Sequence, residues 1–406
     1  MHVCVMGAGI VGLACAYALR RAGHSVTVID RGAPGQGVSQ GNGAQLSYAY
    51  VQPLADPAIW RQLPKLLLAA DSPLKFRPRL EPAQWRWAMA FLAACRASTS
   101  RDSTATLLAL AAASREDFDA MRLRERLDCD FSATGKLVLY PDAPSFAAAR
   151  RQLAVQQALG SPSQAAVSAA ECTAIEPALA GYAPQIAGAI HTPSECAADC
   201  AQTCTALAQV LQTQGTRLLL HNAVRGFVRR GDRVAAVQTT QGELAADAFV
   251  LALGPQSAAL ARSLGLALPI YPLKGYSITL PVSDDATWAP RVSVTDSQRK
   301  TVFARLGQRL RVAGMVEIVG DDLSVARERI DTLLASTRAV FPGAAAADTH
   351  AVTPWAGLRP ATPTGLPIVG RQSGGPANLW VNSGHGALGF TLAFGTARQI
   401  VQQLGR

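Results

Sequence analysis

Residues 1–30 read MHVCVMGAGIVGLACAYALRRAGHSVTVID, and the order of residue types in this stretch decides the fold. The apolar run at 2–6 suits a short strand, and the spacing that follows suits a helix stopped by Gly23. Residues 25–30 read as a second strand, so the whole is a βαβ unit. The three glycines between strand and helix have a mechanism. Gly7 makes the turn, Gly9 lets the backbone approach a diphosphate at the helix N-terminus, and Gly12 lets helix and strand touch. Asp30 ends the second strand 18 residues after Gly12, where a carboxylate can bind ribose hydroxyls. An acid there favours a free 2′-hydroxyl, which selects FAD or NAD over NADP. A purely structural glycine turn is the competing reading, and it would not require the acid.

The segment after Asp30, GAPGQGVSQGNGAQLSYAY, separates the two cofactors. An NAD fold would continue with another helix and strand. This Gly, Ser and Asn-rich loop can instead wrap the flavin side of a dinucleotide with the N–H groups of Gly43, Ala44 and Gln45; its bland alternative is a flexible surface loop. Further along, 56–127 is mostly helical in pattern, 136–140 is strand-like, and GSPSQ at 160–164 is a boundary loop. Alternating strands lead to an apolar strand that ends at Gly254. Another strand set covers 271–319, a helix covers 323–340, and a glycine turn at 384–389 enters a last helix. Nucleotide-type pieces are thus interleaved with pieces of another character. The expected division is a nucleotide domain of 1–55, 160–262 and 352–406, with a second domain of 56–159 and 263–351.

The totals agree with two domains: 406 residues, 49% hydrophobic and 16% charged. No apolar run reaches the roughly 18 residues of a membrane span, and the N-terminus lacks the pattern of a secretory signal, so cytoplasmic residence is expected. The net charge of +10 suits nucleic acid, an anionic membrane face or an acidic small molecule. Its Lys and Arg are dispersed and not interleaved with aromatics, which argues against nucleic acid. The eight cysteines lack paired C-x-x-C spacing, so reduced thiols are expected. The run CAADCAQTC places three on one helical face that a metal could use, but Asp199 reads as a helix N-cap and buried thiols explain the spacing; no metal is assigned.

The blocks GAGIVGLACAYALRRAGHSVTVID, SQGNGAQLS, YPLKGYSITLP, RVAGMVEIVG, GLRPATPTGLPIVGR and NLWVNSGHGALGFTLA span nearly the whole chain. In this order they resemble the FAD-dependent D-amino acid dehydrogenases, within the wider family of D-amino acid oxidases, glycine oxidases and sarcosine oxidases. The resemblance implies a mixed α/β fold, with a glutathione-reductase-type FAD domain interleaved with an antiparallel-sheet substrate domain. It implies that Arg359, in GLRP, pairs with the substrate carboxylate, for which its planar fork is suited; pairing with an internal acid is the alternative. Tyr276, and less so Tyr271, are candidates to bind the carboxylate or wall the pocket. Lys274 is a candidate to sit near the flavin, and His385 to face flavin or active site. Tyr48, Tyr50 and Met315 are candidates to shape the pocket.

The expected FAD contacts start with Gly7, Ala8, Gly9, Ile10, Val11, Gly12, Asp30, Arg31, Ser39, Asn42, Gly43, Ala44, Gln45 and Leu46. They continue with Val224, Ala252, Gly254, Gly357, Arg359, Gly384, His385, Gly386, Ala387, Leu388, Gly389 and Thr391. The late glycine turn can aim N–H groups and a positive helix end at the flavin pyrimidine. No cysteine lies beyond 204, so FAD is expected to be noncovalent. The expected chemistry is hydride transfer from Cα–H of an amino acid to flavin N5, with hydrolysis to a 2-oxo acid and ammonia. A respiratory quinone or electron-transfer partner is the expected acceptor, at the inner face of the cytoplasmic membrane with peripheral association. Oxygen is the alternative acceptor, and D-proline or D-hydroxyproline, sarcosine and glycine are alternative substrates. LSYAYVQP departs from the Pro-Gly loop of the dehydrogenases, which leaves specificity open. An FAD-binding electron-transfer subunit is the reading from another class.

Overall fold

The computed structural model describes residues 1–57, 59–60, 74–282, 288–345 and 351–405. The opening unit forms as its pattern requires: β1 (His2–Met6), α1 (Ile10–Arg21) and β2 (Ser25–Ile29). Residues 3–6 and 26–29 are buried throughout, because the sheet they build is covered on both faces. That sheet has six strands in the order Ile368–Gly370, Leu379–Ser383, Ala248–Leu251, β1, β2 and Arg217–Leu219. All its pairings are parallel except the first, a hairpin that supplies an antiparallel edge. Gly12 sits where a side chain would run into the carbonyl of Gly7, so helix and turn touch as the spacing implies.

A second sheet of nine strands carries the other half of the molecule. Its order runs from β5 (Thr353–Ala361) through β3 (Tyr271–Pro281), β4 (Arg309–Ile318), Thr301–Leu306, Ser293–Asp296, Lys136–Tyr140 and Gly188–Thr192 to Ala165–Val167. Leu74–Phe76 pairs with β4 off this path. Most pairings are antiparallel. One face packs under the helix α2 (Arg327–Val340): Tyr276, Ile278, Val312, Phe303 and Leu333 share a single core there. The other face receives the loop at 39–46, whose Ala44 packs with Ala304 and Leu306.

The chain changes layer at other points than the sequence suggested. Residues 165–167, 188–192 and 353–361 lie inside segments expected to be nucleotide-binding, yet they pair in the large sheet. Conversely the helix Ala97–Glu125, in a segment expected to belong to the substrate domain, packs on the last helix, Gly389–Leu404. Its Leu107, Leu110, Phe118 and Met121 join the core of the six-stranded sheet. Strand pairing and helix docking are long-range, and local pattern fixes only which face of an element is apolar. Part of the helical pattern expected over 56–127, at 61–73, lies outside the described residues. Asp199 does cap the helix Cys200–Thr213, accepting from the N–H groups of Ala201 (2.9 Å) and Gln202 (3.2 Å).

Because Gly12 admits no side chain, Gly12→Ala is expected to separate α1 from the turn. The variant should lose about 1–3 kcal/mol of stability, read by chemical denaturation, and retain less dinucleotide after purification.

Candidate active site

In the pairing of β5 with β3, Leu273 stands opposite Arg359, Gly275 opposite Gly357 and Ser277 opposite Trp355. Side chains alternate along a strand, so Trp355, Gly357 and Arg359 share one face with Gly275 and Ser277. This is the face under the 39–46 loop: Ser277 Oγ donates to the carbonyl of Gly41 at 2.7 Å. A side chain at Gly275 would collide with the Arg359 guanidinium, and one at Gly357 with the Trp355 ring, which also covers Gly41. The two glycines therefore open a lane along which Arg359 lies flat on the sheet.

The guanidinium makes a single protein hydrogen bond among the described residues, from Nη1 to the carbonyl of Met315 at 2.9 Å. Met315 has φ of 62°, beside the bulge that shifts register between Lys274/Glu317 and Tyr276/Gly314. A non-glycine residue in the left-handed region costs roughly 1–2 kcal/mol, and such strain clusters at functional sites. Among the described residues no carboxylate pairs with Arg359. Loss of water pushes it down to about 10, which still leaves it charged at neutral pH. A half-buried cation with one backbone acceptor and no counter-charge among the described residues has the capacity to take an anion from outside.

The other expected catalytic side chains do not join it. Tyr276 projects to the opposite face, under α2, where its hydroxyl donates to Glu317 Oε2 (2.9 Å) while Arg329 Nε donates to Glu317 Oε1 (2.7 Å). Lys274 lies on that face too, 3.1 Å from Asp322 and 5.1 Å from the centre of the Tyr276 ring. Burial and the neighbouring Glu317 carboxylate push the Tyr276 phenol up. Strand alternation and the bulge at Met315 decide this orientation. Tyr271 packs beside Trp87 and donates to Glu81 at 3.1 Å. His385 is buried, with Nε2 3.1 Å from Thr396 Oγ1, and burial pulls it down to about 3, so it stays neutral. Met315 offers Arg359 its carbonyl, while its side chain packs in the core under α2.

Tyr48 and Tyr50 belong to a neighbouring cluster. Buried Glu195 accepts from the N–H groups of Tyr48 (2.9 Å) and Ala49 (2.6 Å), and Arg115 stands 5.4 Å from the centre of the Tyr48 ring. Lys136 Nζ donates to Ser47 Oγ at 2.8 Å and lies 4.5 Å from the centre of the Tyr50 ring; burial pulls the amine down to about 8. The sequence did not single out Lys136, Glu195, Ser277, Arg311 or Trp355. The parity of W-x-G-x-R in 355–359 was the available signal for Trp355.

The glycine turn with Asp30 and Ser39 has the donor set and the open helix start that a dinucleotide such as FAD requires. Asp30 ties the turn together, accepting from Ala8 N at 2.7 Å and Gly32 N at 2.8 Å, and Ser39 Oγ accepts from Ile10 N at 3.1 Å. No side chain of its N-cap, Gly9, closes the start of α1, so the N–H groups of Val11 and Gly12 are available to a diphosphate. Arg31 lies exposed just beyond β2 beside Gln256. In the loop, Ala44 takes φ of 58° and its N–H bonds Asn42 Oδ1 at 3.0 Å, while the Gln45 amide reaches the carbonyls of Val294 (3.1 Å) and Phe303 (3.2 Å). Leu46 is buried, and Ser47 N bonds Thr391 Oγ1 at 3.3 Å, joining this loop to the last helix. Ala252 N bonds the carbonyl of Met6 at 2.9 Å, Gly254 O accepts from Ser383 Oγ at 3.0 Å, and Val224 opens a three-stranded ribbon. Gly384 and Gly386 have positive φ, and 386–388 form a short turn of helix without a side-chain cap, entering Gly389–Leu404.

The family model described as FAD dependent oxidoreductase, DAO, matches residues 2–403. A D-amino acid dehydrogenase 2 of Pseudomonas aeruginosa is 48% identical over 408 aligned positions, covering 100% of this chain and 95% of its own length. One of Ralstonia nicotianae is 46% identical, covering 100% and 97%. Among solved structures, glycine oxidase from Geobacillus kaustophilus superposes with a TM-score of 0.79 at 21% identity, covering 100% of this chain and 94% of that one. At that identity the likeness is one of fold.

His385 binds a proton in the unfolded chain near its usual 6.5 and in the folded one only near 3, so its burial stabilises the fold above pH 6.5 and this is lost as pH falls. His385→Asn is expected to shrink the difference in stability between pH 7 and pH 5 by up to about 2 kcal/mol, measured by denaturant titration at both pH values.

Proposed function

The chain belongs to the DAO family of FAD dependent oxidoreductases, and from that premise we propose that it oxidises D-amino acids to 2-oxo acids and ammonia with Arg359 holding the substrate carboxylate. The observation that carries the assignment of Arg359 is that, among the described residues, it has no counter-charge on the face shared with the 39–46 loop. Bound FAD supplies the two-electron acceptor. The protein's part is binding and orientation. The fork of Arg359 fixes the carboxylate, Trp355 and the Gly275–Gly357 lane bound the space beside it, and the loop lying over this face keeps water away. His385 is neutral and committed to Thr396, and Tyr276 and Lys274 face elsewhere, so none of these serves as acid or base. A substrate amine that enters neutral needs no base from them. The imino acid formed by loss of the Cα hydrogen is hydrolysed by water to the 2-oxo acid and ammonia.

The electrons leave to a respiratory acceptor, a quinone or an electron-transfer partner, at the inner face of the cytoplasmic membrane. No helix among the described residues is long and apolar enough to cross a membrane. Support for peripheral association comes from the helix Pro82–Ala94, which exposes Trp85 and Met89 one turn apart, next to exposed Leu80. Arg77, Arg79 and Arg86 flank them, a pattern suited to an anionic lipid surface.

Arg359→Ala is expected to keep FAD bound and to lower kcat/KM for a D-amino acid by about 100-fold, chiefly through KM, because a charge-assisted carboxylate contact contributes about 2–3 kcal/mol. Stopped-flow reduction over a range of D-alanine concentrations measures it; an unfolded variant with native substrate affinity in its folded fraction identifies an internal role instead. Purified enzyme with D-alanine is expected to reduce a quinone analogue or dye much faster than it consumes oxygen, and brisk hydrogen peroxide formation would overturn the respiratory acceptor.

A further inference from the structure

A second guanidinium, on the same face of the large sheet under the 39–46 loop, also lacks a paired carboxylate among the described residues. Arg311, on β4 opposite Thr279 of β3, is 6% exposed. Its Nε donates to Thr279 Oγ1 at 2.8 Å. Its Nη1 donates to the carbonyl of Asn42 at 2.9 Å and to that of Gln40 at 3.5 Å. Nη2 has no hydrogen-bond partner among the described residues, and no carboxylate there forms an ion pair with Arg311. The nearby carboxylate of Asp199 is taken instead by Arg309 at 2.9 Å. Nη2 is not among the fully buried unpartnered atoms, so this donor pair opens to the space beside the loop, where an acceptor from outside the protein can meet it.

What Arg311 grips gives that acceptor a chemistry. With Ser277 Oγ on the carbonyl of Gly41, three successive carbonyls of the loop, those of Gln40, Gly41 and Asn42, are drawn to side chains of the sheet. Ser39, immediately before them, bonds Ile10 N at the glycine turn, and Ala44, two residues after Asn42, is held in the left-handed conformation. Consecutive carbonyls turned one way leave the intervening N–H groups turned the other, which is how a loop presents donors to a negative group.

We propose that Arg311 is a positioning residue for FAD: it locks the loop at 40–42 against the sheet, and its uncommitted N–H pair and charge are satisfied by the anionic part of the cofactor. The substrate plays no part in this, so Arg311 acts separately from Arg359.

The test is titration of apoprotein with FAD, followed by flavin fluorescence, beside thermal melting of the same apoprotein. The native chain titrated in parallel reports on FAD binding itself. Arg311→Met is expected to weaken FAD binding at least about tenfold while the apoprotein melts near the native temperature, and Arg311→Lys, which keeps the charge, is expected to recover part of the loss. FAD affinity within twofold of native in Arg311→Met overturns the proposal. So does a Lys variant as weak as the Met variant, or a loss of apoprotein stability large enough to account for the whole change. Should the Met variant fail to fold, Thr279→Val removes the acceptor of Nε and leaves the arginine in place. A several-fold weaker FAD affinity is then expected, and an unchanged affinity overturns the proposal.

Discussion

The arrangement rests on one electrostatic imbalance: a guanidinium held on a β-sheet among glycines, with a single carbonyl to bond and no acid beside it among the described residues. Within a protein such a charge is costly unless something compensates it. Here the structure maintains the imbalance. Gly275 and Gly357 remove the side chains that would push Arg359 off the sheet, and Met315 accepts backbone strain to turn its carbonyl toward it. On the proposed reading, the carboxylate of the substrate removes the imbalance, and that compensation is what favours its binding.

The loop at 39–46 is what relates Arg359 to the glycine turn, because it connects the two sheets. One end touches the glycine turn through Ser39 and the other touches the last helix through Ser47 and Thr391. Its middle is tied to the large sheet by Ser277 on the strand next to that of Arg359 and by Arg311 on the strand after it. On the proposed reading, a dinucleotide held at the turn would extend toward the face on which Arg359 lies. The opposite face packs under α2 and carries the network of Tyr276, Glu317, Arg329, Lys274 and Asp322, away from Arg359.

How much of this was legible in the sequence follows from how local each signal is. The βαβ unit, Asp30 and the glycine turns are written in consecutive residues, and all stand where the spacing put them. Arg359 was legible because an arginine among apolar residues, glycines and prolines raises the question of its partner. Tyr276 and Lys274 were misplaced because face depends on register, and register here depends on a bulge formed with a strand some 40 residues away. His385 looked chemical in a glycine turn, but burial beside Thr396 makes it a neutral structural residue. Arg311 was invisible for the same reason that the domain boundaries shifted: its partners, Thr279 and Asn42, are brought to it only by the sheet.

The most direct test of the central claim changes the substrate and leaves the protein alone. Anaerobic mixing of the native enzyme with D-alanine, or with D-alaninamide, which lacks the carboxylate, compares two molecules with the same Cα–H and amine. If Arg359 awaits a carboxylate, D-alanine bleaches the flavin at low concentration and D-alaninamide does so only with a much weaker half-saturation, by about 100-fold. Equal half-saturation for the two would contradict the account.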